Sequence, residues 1–362
     1  MFFRRWMLTV IALAVLLCAG RTDALAQKTT SSGGNTQPTP TPQKHDEIDI
    51  LAHPTDGPDA PALRVPAVPE IKTPNYATAP IEQLQKTVRE LRHLKAAPDQ
   101  SQLVPLLNKM GAKTVEIAKK TPNLISHEAV VSEQLGSIRK HDYSFLVLQH
   151  LMGSDSAILD EYRIDLASGE KYQTEQIERA EEATARAQES DKLELPTQSA
   201  TVPSSSGPPR SQGFVNSWVH FYPPNRYQSD FRYLGEQKMD GHQTHVVSFA
   251  QKPGSLRVPA TIEYANKTYP MYLQGIAWVD ASDYRIVRLR TDILFPPPGV
   301  PLRQFTAETS FEEVLLAEVS TALWLPRQVV VTSNVDGLVS KESHMYSAYR
   351  LFRAKSKLIL NQ

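Results

Sequence analysis

Apolar residues recur at helical spacings in only one stretch of the chain, between residues 81 and 120. Ile81, Leu84, Val88 and Leu91 stand three or four apart behind Thr78 and Pro80, residues suited to a helix start. A second stripe follows Asp99 and Ser101, with Leu103, Leu106, Leu107 and Met110 on one face. Gly111 predicts a break in that helix, and Val115 to Lys120 continues it until Pro122. Both stripes are expected to face a core.

Beyond Pro122 the period changes to two. Ala129 to Ile138, Tyr143 to Met152 and Ile158 to Leu166 read as strands, separated by turn-rich residues 139–142 and 153–156. Tyr143, Phe145 and Val147 alternate with Leu146 and Leu148, so the middle strand is apolar on both sides and something must cover its second face. Residues 170–192 hold seven acidic and four basic side chains, with Glu175/Arg179 and Glu182/Arg186 at helical spacing, which predicts a solvated helix. With the serine- and proline-rich stretch 195–212, read as a loop, this makes 170–212 an insertion. The second half returns to strands. Arg232 to Met239 and His242 to Gln251 flank Asp240-Gly241, a pair that tolerates positive φ in a tight hairpin turn. Further strands read as 260–264, 269–279, 284–294, 305–319, 327–335 and 343–353. The expected fold is mainly β (α+β), a large curved antiparallel sheet resembling half a barrel, with helices on its concave face and a single domain over 81–362.

What precedes residue 81 changes the setting rather than the fold. Arg4 and Arg5, the apolar run Met7 to Ala19 and the small residues Ala24-Leu25-Ala26 predict a signal peptide over 1–26, and so export to the periplasm or beyond the cell, with association at the outer membrane left open. Cys18, the single cysteine, lies within that run and is either removed with it or lipidated. Residues 27–80 contain ten of the 27 prolines and too few apolar residues to bury, so they read as a disordered linker.

Charge narrows the partners. Lys plus Arg and Asp plus Glu balance at 39 each, which leaves no basic excess to draw the chain onto nucleic acid. The motifs of common hydrolases and nucleotide binders are missing from the sequence. His242 and His245 form H-x-x-H in extended chain, where that spacing sends the rings to opposite faces. Ser137-Ile138-Arg139-Lys140 matches S-x-x-K, but at a strand end. No catalytic residue, metal site or cofactor is therefore expected, and an enzyme is not the expected class.

Two amphipathic helices, a meander of long strands, and Gly275-Ile276-Ala277-Trp278-Val279-Asp280 followed by Tyr284-Arg285-Ile286-Val287-Arg288-Leu289 together resemble the outer-membrane lipoprotein-carrier (LolA-like) superfamily over about 120–354. Leu234 to Gln237, Asp240-Gly241 and Leu323 to Arg327 also resemble uncharacterised secreted bacterial proteins. The resemblance implies an unclosed half-barrel whose apolar concavity holds acyl chains or a lipidated partner. Arg288, Arg290, Trp278 and Tyr284 are the candidate ligand-binding residues. Strand alternation groups Arg288 and Arg290 with Tyr284 and Ile286, either on a solvated convex face or rimming the concavity to meet an anionic head group. The alternative function is an envelope interaction or scaffold protein, tethered by the proline-rich segment and docking another protein on its sheet edge or loops.

Overall fold

The computed structural model describes residues 73–353 apart from 153–155, 190–198, 201–214, 216, 255–259, 265–266 and 336. The signal-peptide reading, the linker as far as residue 72 and most of the expected 195–212 loop lie outside the described residues.

Helix α1 (Ile81–Thr87) starts directly behind Pro80, as its stripe predicts. It ends sooner than expected, because Val88 turns extended (φ −107°, ψ 102°) and Arg89–Leu91 resume as a 3-10 turn. Helix α2 (Leu103–Lys120) runs without the break expected at Gly111. That glycine answers a packing need instead: a Cβ there would stand 2.0 Å from the Arg226 guanidinium and 3.0 Å from Pro223. Helix α3 (Glu170–Glu189) fills the insertion. It is not solvated all round, since Gln176, Ala180 and Thr184 are buried on one face.

Among the described residues thirteen strands form one open sheet. In chain order they are β1 (Lys95–Ala96), β2 (Leu124–Gln134), β3 (Ser137–Met152), β4 (Ser156–Asp165), β5 (Ser199–Ala200), β6 (Ser229–Met239), β7 (His242–Gln251), β8 (Ala260–Tyr264), β9 (Lys267–Asp280), β10 (Ile286–Phe295), β11 (Leu302–Val314), β12 (Leu323–Val335) and β13 (Leu338–Leu351). The main path runs β1-β6-β7-β9-β10-β11-β12-β13-β2-β3-β4, with β8 paired to the first residues of β9. Every pairing is antiparallel except β5 with β8, and β5 places strand where a loop was expected. The Asp240-Gly241 turn joins β6 to β7 with both residues at positive φ, 50° and 90°. In the first half the turn lies earlier than expected. Leu135 and Gly136 take positive φ of 51° and 74°, while 139–142 continue β3. Those four residues are polar because both faces of the strand are exposed there, not because the chain turns.

Helix α2 packs against β4 at one edge of the sheet, β6 near the other, and β12 between them, so the sheet curls around it. The side toward α2 is the inner face. Alternation then sorts the side chains. Tyr233, Val247, Ala277 and Val279 point inward to a core with Leu106, Leu107 and Met110, while Leu234, Val246, Ile276 and Trp278 point outward beneath Leu84, Val88 and Leu91. Of the three α-helices among the described residues, α2 alone lies inside the curve, beside the 3-10 turns Ser217–Phe221 and Pro223–Gln228; α1 covers the outer face at the β6–β10 end. At the other end α3 covers Leu146, Leu148, Tyr162 and Ile164, supplying the cover that a strand apolar on both sides requires.

Candidate functional site

The inner face carries an apolar cleft between α2 and the middle of the sheet. Thr114, Ile117 and Thr121 form its roof, Ile286, Phe311 and Trp324 its floor, and Leu159 and Trp218 its sides. Its enclosed space is about 20 Å³, close to one water molecule. The hydroxyls of the roof and the indole of the floor are turned to partners within the protein. The Thr114 and Thr121 hydroxyls donate back to the carbonyls of Gly111 and Ile117 at 2.8 Å each, and the Trp324 indole N–H donates to the Ile286 carbonyl at 2.8 Å. Charge is confined to the neighbouring turn and to α2. There the Arg285 guanidinium lies 4.2 Å above the Trp324 ring and pairs with Glu313 at 3.1 Å, and the Lys109 ammonium donates to the Tyr284 hydroxyl at 2.8 Å.

Farther along the inner face a charged cluster is sealed in. Glu128 on β2 is fully buried and accepts two bonds from the Arg163 guanidinium, at 2.6 and 2.8 Å, one from the Tyr346 hydroxyl at 3.0 Å, and lies 2.8 Å from His344 Nδ1. Burial works against its charge, yet Arg163 and His344 hold the carboxyl down at about 2. Burial likewise opposes a charge on His344, but hydrogen bonds to Glu128 and Glu342 raise its pKa. Beside this cluster Glu161 accepts the backbone N–H of Val215. These polar groups bond chiefly one another and hold β2, β4 and β13 together.

The four residues singled out in the sequence are not brought together. Strand β10 bulges between Ile286 and Arg288, which moves Ile286 and Tyr284 to the inner face and leaves Arg288 and Arg290 opposite Trp278 and Ile276 on the outer one. The grouping by simple alternation therefore fails at that bulge. Trp278 is completely buried under α1. Arg290 is clamped by Asp292 at 2.7 and 3.0 Å and by Glu308 at 2.8 Å; Arg288 bonds Glu308 at 2.9 Å. Asp292 in turn accepts from the Tyr76 and Thr306 hydroxyls at 3.0 and 2.6 Å. Tyr284 alone lies on the inner side. Phe311 and Trp324, which floor the cleft, stand in the sequence only as two aromatics among many; their inward parity shows once the register is known.

No protein-family model matches the chain, and no curated protein matches it in sequence. Similar solved structures exist. One is a DUF1329 family protein from Desulfovibrio piger, with 11% identity, 70% of this chain and 94% of that chain covered, and a TM-score of 0.37. Another is a LolA superfamily protein from Nitrosomonas europaea, with 13% identity, coverage of 71% and 95%, and a TM-score of 0.31. A third is an outer membrane lipoprotein-sorting protein domain from Vibrio parahaemolyticus, with 10% identity, coverage of 70% and 95%, and a TM-score of 0.33. The unclosed half-barrel that the resemblance implies is present in this chain's own strand order, which ends at β1 and β4 without joining them.

The titratable groups do not assemble into an acid, base and nucleophile at the cleft. At the β9–β10 turn His242 Nδ1 and the Ser282 hydroxyl each meet Asp280, at 2.5 Å, so histidine and serine share a carboxylate rather than a proton. Among the described residues no group of three or more His, Cys, Asp or Glu is placed to hold a metal ion, and no helix is long and apolar enough to cross a membrane.

Proposed function

We propose that this chain is an exported, non-enzymatic binding protein of the cell envelope that takes a hydrophobic or lipidated ligand between α2 and the floor formed by β10, β11 and β12. The observation that carries this reading is the chemistry of the cleft: apolar side chains on every side, with the two lining threonine hydroxyls and the Trp324 indole N–H already satisfied within the protein. Such a surface recognises hydrocarbon and little else. Export rests on the basic and apolar pattern of residues 1–26.

The cleft's about 20 Å³ is far below the roughly 300 Å³ at the small end of ligand pockets, so an acyl chain enters only as α2 lifts from the floor. The helix is suited to lifting. Its start carries no side-chain cap; Lys109 to Tyr284 and Arg226 to Asn108 at 2.9 Å tie its first half to the body, while Gln149 Nε2 donates to the Ala118 and Lys119 carbonyls at 3.0 Å each and holds its end, so the start is the part that lifts. Solvent extraction of the purified protein followed by mass spectrometry is expected to release a co-purified lipid, and the stripped protein is expected to take up a fluorescent fatty-acyl probe. An extract without lipid, together with a stripped protein that takes up no probe, would overturn the proposal.

A further inference from the structure

The free end of β3 has the properties of a docking strand. Pairing with β4 begins at Tyr143 opposite Asp165, so Ser137 to Asp142 extend past the end of β4, about 20 Å of strand at roughly 3.3 Å per residue. All residues from Glu133 to Asp142 are exposed. The Leu166 N–H still donates to the Asp142 carbonyl at 3.1 Å, so on this strand the backbone groups of even-numbered residues point away from β2. The N–H and C=O of Ile138 and Lys140 therefore line the open edge.

Side chains along the edge select what can pair with it. Arg139, Lys140 and His141 follow one another, and among the described residues neither Arg139 nor Lys140 has an ion-pair partner. Carboxylates nearby are engaged elsewhere. Asp142 bonds His127 at 2.8 Å and Glu342 lies 3.7 Å from His344 Nε2, while Glu133 pairs in register with Ile138 and so lies on the face opposite to Arg139. The pleat places Arg139 and His141 on the inner face and Ile138, 63% exposed, on the outer one. A second, antiparallel copy centred on this edge would set Lys140 against itself, and like charges directly opposite repel. Basic edges ordinarily deter pairing of that kind. An acidic strand meets no such barrier.

From this free edge, its exposed backbone groups and its unpaired basic charge, we infer that β3 over Ser137–Asp142 binds an extended acidic peptide segment of a partner protein by strand addition. The segment alternates carboxylates toward Arg139 and His141 with apolar side chains toward Ile138.

The test uses the mature full-length protein and a labelled peptide of alternating glutamate and valine, read by fluorescence anisotropy. A lysine and valine peptide serves as control. The wild type is expected to bind the acidic peptide and not the basic one. K140P removes an edge N–H while leaving the groups that face β2, whereas K140Q removes only the charge. K140P should bind at least about tenfold more weakly than K140Q, and R139E should reverse the preference between the two peptides. Equal binding by K140P and K140Q overturns strand addition. Failure of the wild type to bind, or an R139E variant with unchanged preference, overturns the acidic partner. If K140P does not fold, R139E decides alone. Self-association of the wild type in sedimentation, lost in R139E, would make a second copy the occupant and likewise overturn the inference.

Discussion

His220 is the residue whose charge state most directly reports on how the inner core is sealed. It is buried, and its ring stacks on Phe249 with centroids 4.3 Å apart. Burial alone lowers its pKa from 6.5 to about 4, so the folded chain excludes a proton that the unfolded chain accepts. Its contribution to stability is therefore complete above pH 6.5 and declines as the pH falls toward 4. His344 has the opposite sign: its pKa is raised, so its contribution is present below 6.5 and lost as the pH rises through the folded value. Phenylalanine at 220 keeps the stacked ring and removes the titration. Between pH 7 and pH 4, H220F should gain on the order of 3 kcal/mol relative to the wild type. Melting temperatures of the two proteins across that range provide the check, and parallel profiles would mean that water reaches the ring in the folded state.

Among the elements, the segment from Tyr76 to Leu91 depends on the charge cluster beneath it. Arg290 is 16% exposed by side chain and joins Asp292, Glu308 and, at 3.6 Å, Glu90 of the 3-10 turn, which fastens α1 and its flanks to the outer face. Burial disfavours a charge on Arg290, but Asp292 and its neighbours raise its pKa instead. R290Q leaves the Asp292 carboxylate buried without its cation and should cost about 3 kcal/mol. Arg288 is 25% exposed with looser partners, and R288Q should cost less than about 1 kcal/mol. Acyl-probe uptake should survive both changes, because neither side chain faces the cleft; loss of uptake in R288Q would place the ligand on the outer face instead. The same strand marks how far the sequence could be read. Strand identities and the Asp240-Gly241 turn follow from period and turn chemistry, which are local properties. The facing of Arg288 does not, since one inserted residue at the β10 bulge reverses parity without altering the pattern of residue types. Gly111 fails as a signal for a related reason: its reason is Arg226, 115 positions away in the chain. The sealed Glu128 cluster was equally illegible, because β2, β4 and β13 meet there only through long-range pairing.

At the scale of the molecule, the two faces of the sheet are finished differently. The outer face is pinned at its ends by α1 and α3, and the inner face is closed by α2 together with the 3-10 turns Ser217–Phe221 and Pro223–Gln228. If binding works by lifting this inner layer, loading the protein is a conformational change confined to one face. Hydrogen exchange can detect that directly. Uptake of a long acyl probe should expose the amides of Leu103–Lys120 to exchange, while amides of β7, β9 and β10, held between neighbours in mid-sheet, keep their protection. A second variant separates room from motion. F311A removes a ring from the floor and should destabilise the protein by about 3 kcal/mol, leaving an apolar void large enough for a small arene. Toluene should then raise the melting temperature of F311A and not of the wild type, with α2 still protected, because the ligand fits beneath a closed roof. Unchanged protection of α2 on loading with the long probe would mean that the ligand lies outside the cleft, and a wild type stabilised by toluene as strongly as F311A would mean that the cleft already opens without it.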